Sequence, residues 1–327
     1  MIEGGPTPDA DRPGAIASRM LSPARLAMQI VGFAGGTVLI GWCAWKAFSS
    51  ADWQVLREAS PAPIALIIGC SFVSLLLNGA IFWAGGRPLA RLGLMEMEAV
   101  NAMASVLNYA PVRLGAVARI AYALRVSRMR VPAAAAWFVW VTAGVGIWAV
   151  AGASVAWLFP ETPWFIAASW LVVGLLGFWI AAILTRRLLG ARSESLRRLA
   201  TDPASLWGAA VLRFLEQAMW IGRMHAAVLI LDLPIDLADS IVLALVGILV
   251  SLNPLGRFGY REVAVAWLAS TLADGTLDPT QIDAVFFQLA LIESVGEAIV
   301  MIPLGTVGSI WCLRRLLGRR GETSSGA

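Results

Sequence analysis

The sequence predicts an all-α fold made of membrane-spanning helices. Of its 327 residues, 59% are apolar and 14% are charged, and the mean hydropathy is +0.75. The apolar residues come in blocks of about 20, the length that a helix needs to cross roughly 30 Å of hydrocarbon. Hydrocarbon offers no partners for backbone polar groups, so blocks of this length span as α-helices. We therefore expect a polytopic bundle of about seven or eight hydrophobic segments.

The apolar blocks set the order of the predicted elements. In chain order they cover residues 26–45, 61–84, 98–110, 132–159, 163–185, 203–231, 236–252, 260–273 and 282–312. The block at 98–110 is too short to span and is followed by Pro111. The block at 236–252 ends at Asn253 and Pro254. These two breaks predict two broken or re-entrant helical elements, one in each half of the chain, with the halves at about 61–185 and 203–312.

The distribution of basic residues predicts the orientation. Lysine and arginine are concentrated before residue 26, at 87–130, at 186–198 and near the C-terminus, and they are absent from the connections at 160–162, 232–239 and 274–283. Basic short loops stay in the cytoplasm. We expect both termini on the cytoplasmic side of a bacterial inner membrane.

The ends of the chain differ in composition from its centre. Residues 1–25 are rich in proline, glycine and charge, which is typical of a disordered tail. We therefore expect a cytoplasmic tail at 1–25, a single transmembrane domain at 26–315 and a second cytoplasmic tail at 316–327. The spacing of the three cysteines, Cys43, Cys70 and Cys312, indicates neither a disulfide framework nor a metal site.

With this orientation, the first broken element starts and ends on the cytoplasmic side and the second on the outer side. Opposed broken helices in corresponding halves are typical of an inverted-repeat transporter whose binding site lies between the repeats. The alternative for each is an ordinary kinked helix or an interfacial helix. For residues 113–130, with five arginines, an amphipathic segment on the anionic inner leaflet is a further alternative.

Ionisable side chains in apolar helices are the candidates for function, because each costs several kcal/mol at membrane depth. Arg213, Glu216 and Arg223 recur with Trp220 at three- and four-residue steps and so share one helix face. Glu216 can pair within that helix, which leaves at least one arginine for a phosphate group. Arginine suits phosphate because its planar fork donates two parallel hydrogen bonds.

Two glutamates four residues apart lie on one face of the last long helix. Glu293 and Glu297 would repel each other, so we expect arginines opposite them or a proton on one of them. The candidate partners are the arginines of the broken elements, Arg113, Arg119, Arg257 and Arg261. A structural charge network and a role in substrate binding or proton coupling both remain open for this pair.

The two broken elements also carry a family resemblance. The pattern in the first half comprises Asn101, Leu107, Asn108, Pro111, Arg113, Gly115 and Arg119. In the second half it comprises Asn253, Pro254, Gly256, Arg257, Phe258, Gly259, Tyr260, Arg261 and Glu262. It resembles the lysylphosphatidylglycerol synthase transmembrane-region family, which includes the flippase half of multiple peptide resistance factors. The likeness covers most of residues 25–315 and implies that the chain moves or assembles lipids, such as aminoacylated phosphatidylglycerol, polyprenyl-linked sugars or hopanoids.

The chain departs from that family at three places. Leu255 and Arg257 stand where small residues are common, and Glu293 stands where an arginine is often found. We expect no aminoacyl-transferase domain, because the sequence contains no long soluble stretch.

The sequence-based hypothesis is a lipid flippase-like transporter for an anionic phospholipid or a polyprenyl- or hopanoid-type lipid. Its predicted substrate-binding residues are Asn108, Pro111, Arg113, Gly115, Arg119, Arg213, Glu216, Arg223, Asn253, Pro254, Arg257, Gly259, Arg261, Glu262, Glu293 and Glu297. We expect no catalytic residue, no metal and no cofactor. The expected partners are membrane lipids and a lipid-synthesis enzyme, and we expect no binding of nucleic acid. The alternatives are a membrane-embedded enzyme on a polyprenyl phosphate, with Glu262, Glu293 or Glu297 as acid or base, and a scaffold of a lipid-synthesis complex.

Overall fold

The computed structural model is helical throughout the part of the chain that it describes, with no strand there. The described residues are 23–50, 54–109, 114–159, 163–190, 193–252, 259–272 and 282–324. The all-α prediction is therefore confirmed over these residues.

The helices follow the predicted order, with bounds within a few residues of the apolar blocks for most of them. They are α1 Pro23–Ser50, α2 Gln54–Glu58, α3 Pro61–Gly86, α4 Leu94–Leu107, α5 Leu114–Arg125, α6 Val131–Leu158, α7 Pro163–Leu184, α8 Glu194–Thr201, α9 Ala209–Ile230, α10 Leu237–Ser251, α11 Tyr260–Leu272 and α12 Ile282–Ser324. Two π-helical turns adjoin them, Thr185–Leu189 after α7 and Ala204–Gly208 before α9.

Local signals explain where the helices begin. The hydroxyl of Ser60 accepts a hydrogen bond from the Ala62 N–H (3.4 Å), and Pro61 occupies the first turn of α3, where a missing N–H costs nothing. The carboxylate of Asp236 caps α10 by accepting from the Asp239 N–H at 2.8 Å. These caps satisfy backbone donors that the helices leave without intrahelical partners.

Within the described part of the chain, five segments are long and apolar enough to cross a membrane: Ile30–Ser49, Pro61–Gly86, Val131–Leu158, Trp164–Leu189 and Val285–Leu316. They fit a multi-pass membrane protein. Helix α9 has 22 residues, but it carries several charged side chains.

Four of the described helices have 12–15 residues and are too short to span on their own. Helices α4, α5, α10 and α11 contain 14, 12, 15 and 13 residues. At 1.5 Å per residue they are roughly 18–22 Å long, against a hydrocarbon thickness of about 30 Å. Helix α4 packs against α5, and α10 packs against α11, so the short helices form two consecutive pairs.

Close backbone contacts fix the position of α4 between α3 and α12. A Cβ added at Gly305 of α12 would approach Val106 Cβ to 2.5 Å, and one added at Gly308 would approach the carbonyl oxygen of Ala99 to 2.6 Å. Small residues at these positions let the two helices lie close together, as is typical of helix pairs in membranes.

The start of α11 is attached to α1. Gly259 has a φ of +78°, a left-handed conformation that favours glycine, and an added Cβ would overlap the carbonyl oxygen of Gly36. The Tyr260 hydroxyl donates a hydrogen bond to the carbonyl oxygen of Gly32 at 3.1 Å. The glycines of α1 therefore make room for the first turn of α11.

Candidate functional site

Among the predicted site residues that the structure describes, eight are buried charged side chains, each no more than 6% exposed: Arg119, Arg213, Glu216, Arg223, Arg261, Glu262, Glu293 and Glu297. Burying a charge costs several kcal/mol unless partners compensate for the lost solvent. The structure divides these residues into two groups.

The first group is an ion-pair network formed by Arg223, Arg261, Glu262, Glu293 and Glu297. Nη2 of Arg223 lies 2.6 Å from Oε1 of Glu293 and 3.2 Å from Oε2 of Glu297. Arg261 donates to Glu293 and lies 3.2 Å from Oε2 of Glu297 through its Nη1 atom. Each arginine thus contacts both glutamates, and the network connects α9, α11 and α12.

Glu262 closes the first turn of α11. Its Oε2 atom accepts a hydrogen bond from the N–H of Gly259 at 2.8 Å, and its Oε1 atom accepts from the hydroxyl of Ser294 at 2.7 Å. One carboxylate therefore holds a backbone donor on α11 and a side chain on α12.

The second group lines a cavity of about 220 Å³, which we call the polar cavity. Its lining residues are Asn78, Phe82, Asn108, Ala116, Arg119, Phe138, Val141, Thr142, Val145, Arg213, Glu216, Trp220, Ile248, Ser251 and Leu252. They come from α3, α5, α6, α9 and α10 and from the residues that follow α4 and α10. None of the carboxylates of the ion-pair network lines it.

Arg119 lies in the wall of the polar cavity without a carboxylate. It donates a hydrogen bond to Oδ1 of Asn101, whose amide in turn donates to the carbonyl oxygen of Leu75 at 2.8 Å. The guanidinium carbon lies 4.1 Å from the centre of the Phe82 ring. Its Nε donor is buried and has no hydrogen-bond partner among the described residues.

Arg213 pairs within its own helix. Its Nη1 atom lies 3.1 Å from Oε2 of Glu216, and Oε1 of Glu216 accepts from the Trp220 indole N–H at 3.0 Å. The Nε donor of Arg213, like that of Arg119, is buried without a partner among the described residues. The described lining of the cavity thus holds two arginines and one carboxylate, a formal charge of +1.

Trp220 stands between the two groups. Its N–H contacts Glu216 in the polar cavity, while its ring centre lies 4.4 Å from the guanidinium of Arg223 and 5.5 Å from that of Arg261. These distances suit cation–π contacts. The Trp220 side chain therefore contacts residues of both the polar cavity and the ion-pair network.

The ends of two short helices meet at the polar cavity. Asn108 caps the C-terminus of α4 and Leu252 caps that of α10, and both line the cavity. Gly115 allows α5 to approach α4, because an added Cβ would overlap Ala104 and Asn108. Asn108 and Leu252, which precede the two breaks in the sequence, thus line the same polar cavity.

The remaining predicted residues have these positions. Arg261 contacts Glu293 and Glu297, as expected. Arg119, another expected partner of these glutamates, does not contact them. Arg223, which was expected to be available for a phosphate group, pairs with both glutamates instead. The predicted residues that lie outside the described part of the chain are Pro111, Arg113, Asn253, Pro254 and Arg257.

Sequence reasoning missed several cavity residues, including Asn78 and Thr142. Both signals were present, since Asn78 is the one amide side chain in α3 and Thr142 is the one threonine in α6. A polar side chain in a largely apolar helix is an indication of a polar interior surface.

No protein-family model, no curated protein and no solved structure matches the chain. The chemistry of the site is therefore argued from its own side chains. Those side chains offer buried, partly unpartnered arginine donors around a space that is large enough for a small anion.

Proposed function

We propose that the protein is a lipid flippase-like transporter of a bacterial inner membrane, and that the polar cavity holds the anionic headgroup of its lipid. The observation that carries this proposal is the pair of buried arginines, Arg119 and Arg213, facing one cavity with a single carboxylate among the described lining residues.

The charges and donors of the cavity support a phosphate-containing headgroup. The Nε donors of Arg119 and Arg213 have no partners among the described residues, and guanidinium forks bind phosphate oxygens in pairs. A buried cation with an unused donor is stabilised by an anion that accepts from it. A headgroup phosphate supplies both the charge and the acceptors.

The size of the cavity supports binding of the headgroup alone. The cavity volume of about 220 Å³ is below the roughly 300–1,000 Å³ of pockets that enclose drug-sized ligands. Acyl chains or a polyprenyl tail would not fit beside the headgroup. The tails would therefore stay in the lipid while the headgroup crosses.

The short helices support alternating access. If the basic connections lie in the cytoplasm, α4 enters from that side and α10 from the outer side, and both end at the polar cavity. Opposed helices that end at one central site are typical of inverted-repeat transporters. Movement of one helix pair against the other would open the cavity to each side in turn.

The alternative of a membrane-embedded enzyme has less support. Its candidate acids and bases, Glu262, Glu293 and Glu297, belong to the ion-pair network and do not line the cavity. Glu216, the carboxylate that does line it, is paired with Arg213.

Lipid retention tests the headgroup site. We expect native mass spectrometry to find an anionic lipid bound to the wild type, and at least about tenfold less in Arg119→Gln, since hydrogen bonds to charged groups are worth about 1.5–3 kcal/mol. The double variant Arg213→Gln/Glu216→Gln removes the second arginine without leaving an unpaired carboxylate, and we expect it to lose lipid as well. Arg87→Gln, which removes an exposed positive charge next to Trp83, is the matched control and should keep the lipid.

Transport needs its own assay. In reconstituted vesicles we expect flipping of a labelled anionic lipid by the wild type and by Arg87→Gln, and none by Arg119→Gln. The same loss is expected for Arg113→Gln and Arg257→Gln in the sequence motifs. Unaltered flipping in the arginine variants would contradict the proposal.

A further inference from the structure

One partly buried carboxyl group, that of Glu98, belongs to neither the ion-pair network nor the polar cavity. Glu98 is on α4, and its Oε2 atom is buried with no hydrogen-bond partner among the described residues. The carboxyl lies directly against Gly79 of α3, where any added Cβ would overlap it. Gly79 therefore provides the space that this group occupies.

Among the described residues, the elements packed around Glu98 give it no positive charge. Helix α3 contains no lysine, arginine, histidine, aspartate or glutamate in its 26 residues. From α5, Arg119 is directed to Asn101, and Arg125 is exposed. On α4 itself, Glu96 accepts from the Tyr122 hydroxyl at 2.7 Å.

The charged side chains of α12 that the structure describes are also directed elsewhere. Glu293 and Glu297 belong to the ion-pair network, Arg315 lies 3.5 Å from Glu96, and Arg314 is exposed. Within the described part of the chain, Glu98 thus has no ion pair. Desolvation without a compensating cation disfavours the ionised form of a carboxyl group and favours the protonated one.

We propose that Glu98 is a proton-binding site and that its proton is coupled, through α4, to anion binding in the polar cavity. The coupling rests on the proposed function, because it supplies that transporter with a proton-dependent step. It also identifies a proton gradient as a driving force for a chain in which the sequence shows no ATP-binding motif of the Walker type.

Helix α4 provides the physical connection. It carries Glu98, then Asn101, which holds Arg119, and then Asn108 at its C-terminal cap in the cavity lining. Helix α4 also packs against the small residues Gly305 and Gly308 of α12. An ionised Glu98 would move away from Gly79 toward water, and a shift of α4 would carry the Arg119 hydrogen bond with it.

This connection fixes the sign of the coupling. The arrangement that places Arg119 at the cavity is the one that buries Glu98, so it favours both the bound anion and the bound proton. Coupling between two sites is reciprocal. Binding of an anionic headgroup therefore draws a proton onto Glu98, and raising the pH weakens anion binding.

Proton uptake on binding tests the coupling directly. The probe is a short-chain phosphatidylglycerol in detergent micelles, whose phosphodiester stays ionised around neutral pH, and titration calorimetry in buffers of different ionisation enthalpy counts the protons exchanged. We expect the wild type to take up as much as one proton and to lose affinity by as much as about tenfold per pH unit above the titration of Glu98. Glu98→Gln should bind with no proton uptake and with pH-independent affinity. Glu194→Gln, an identical change at an exposed carboxylate, should behave like the wild type.

The outcomes separate this inference from the proposed function. Binding by the wild type without proton uptake, or equal uptake by the wild type and Glu98→Gln, would overturn the coupling and leave the headgroup site standing. Absence of binding by the wild type would contradict the proposed function and the coupling together. An infrared carboxyl band that disappears with rising pH in the wild type and is missing in Glu98→Gln would establish the proton site without any lipid. A wild type without such a band would overturn it.

Discussion

The ion-pair network and the polar cavity are built from the same residue types at similar burial, yet Arg119 of the cavity differs from the network arginines in how its charge is compensated. In the network, Arg223 and Arg261 each contact Glu293 and Glu297. In the cavity, Arg119 contacts only neutral or aromatic groups among the described residues, and an empty space adjoins it.

The difference separates structural charges from charges that await a ligand. A paired buried arginine holds helices together, and its removal leaves carboxylates without a partner. A buried arginine without a carboxylate gives little net stability, because its desolvation is not repaid within the protein. Burial alone therefore does not identify a binding residue, whereas burial without compensation beside a cavity does.

The largest expected effect is on stability, from breaking the ion-pair network. Arg261→Met leaves Arg223 to compensate Glu293 and Glu297 alone, and we expect the free energy of unfolding to fall by about 3–5 kcal/mol. Thermal unfolding in detergent micelles measures this change. Arg197→Met, in an exposed pair whose arginine is 58% accessible, should leave the unfolding temperature nearly unchanged. Equal effects of the two changes would contradict a structural role for the network.

A side chain added where α5 contacts α4 in the wall of the polar cavity should destabilise the protein. Gly115→Ala forces α5 away from Ala104 and Asn108, and we expect a loss of about 1–3 kcal/mol in the free energy of unfolding, together with weaker lipid retention. Gly146→Ala is the control, because no atom lies within 4 Å of an added Cβ there. A Gly115→Ala variant with wild-type stability would show that the close approach of α4 and α5 is not required.

Arg119 gives the clearest test of the difference between the ion-pair network and the polar cavity. We expect Arg119→Gln to change the free energy of unfolding by less than about 1 kcal/mol, because a buried charge without a carboxylate is removed rather than a pair broken. The same variant should lose the retained lipid. Unfolding measurements on delipidated protein check the first statement, and a destabilisation as large as that of Arg261→Met would place Arg119 among the structural charges.

The smallest expected effect comes from a neutral cavity residue. Thr142→Val keeps the shape of the side chain and removes its hydroxyl, so we expect lipid affinity to fall by roughly 2–10-fold, the equivalent of one neutral hydrogen bond of about 0.5–1.5 kcal/mol. Unfolding should be unaltered. Titration of the variant with short-chain phosphatidylglycerol measures the change, and unchanged affinity would exclude Thr142 from headgroup binding.

The sequence predicts the long helices well because their boundaries depend on local signals. The block at 61–84 corresponds to α3, Pro61–Gly86, since a proline starts it and the arginine after it ends the apolar run. The π-helical turn Thr185–Leu189 and the amphipathic helix α8 were not predicted. Helix α12 also continues to Ser324, past the domain boundary predicted at residue 315.

The pairing of charges was less predictable, because it depends on which helices become neighbours. The choice of Arg119 for the cavity and Arg223 for the network follows from the packing of α3 against α4 and α9, and of α12 against α11. Periodicity within one helix shows that Arg213, Glu216 and Arg223 share a face, but the face spans both groups. The sequence could not show that Arg223 contacts Glu293 rather than a ligand.

Trp220 makes the two regions mechanically dependent. Its indole contacts Glu216 on one side and Arg223 on the other, and the side chain has only two rotatable bonds. A rotation that suits an occupied cavity therefore alters the cation–π contact in the network, and any adjustment of the network changes the position of the donor to Glu216. Neither region can be optimised by mutation independently of the other as long as they share this one ring.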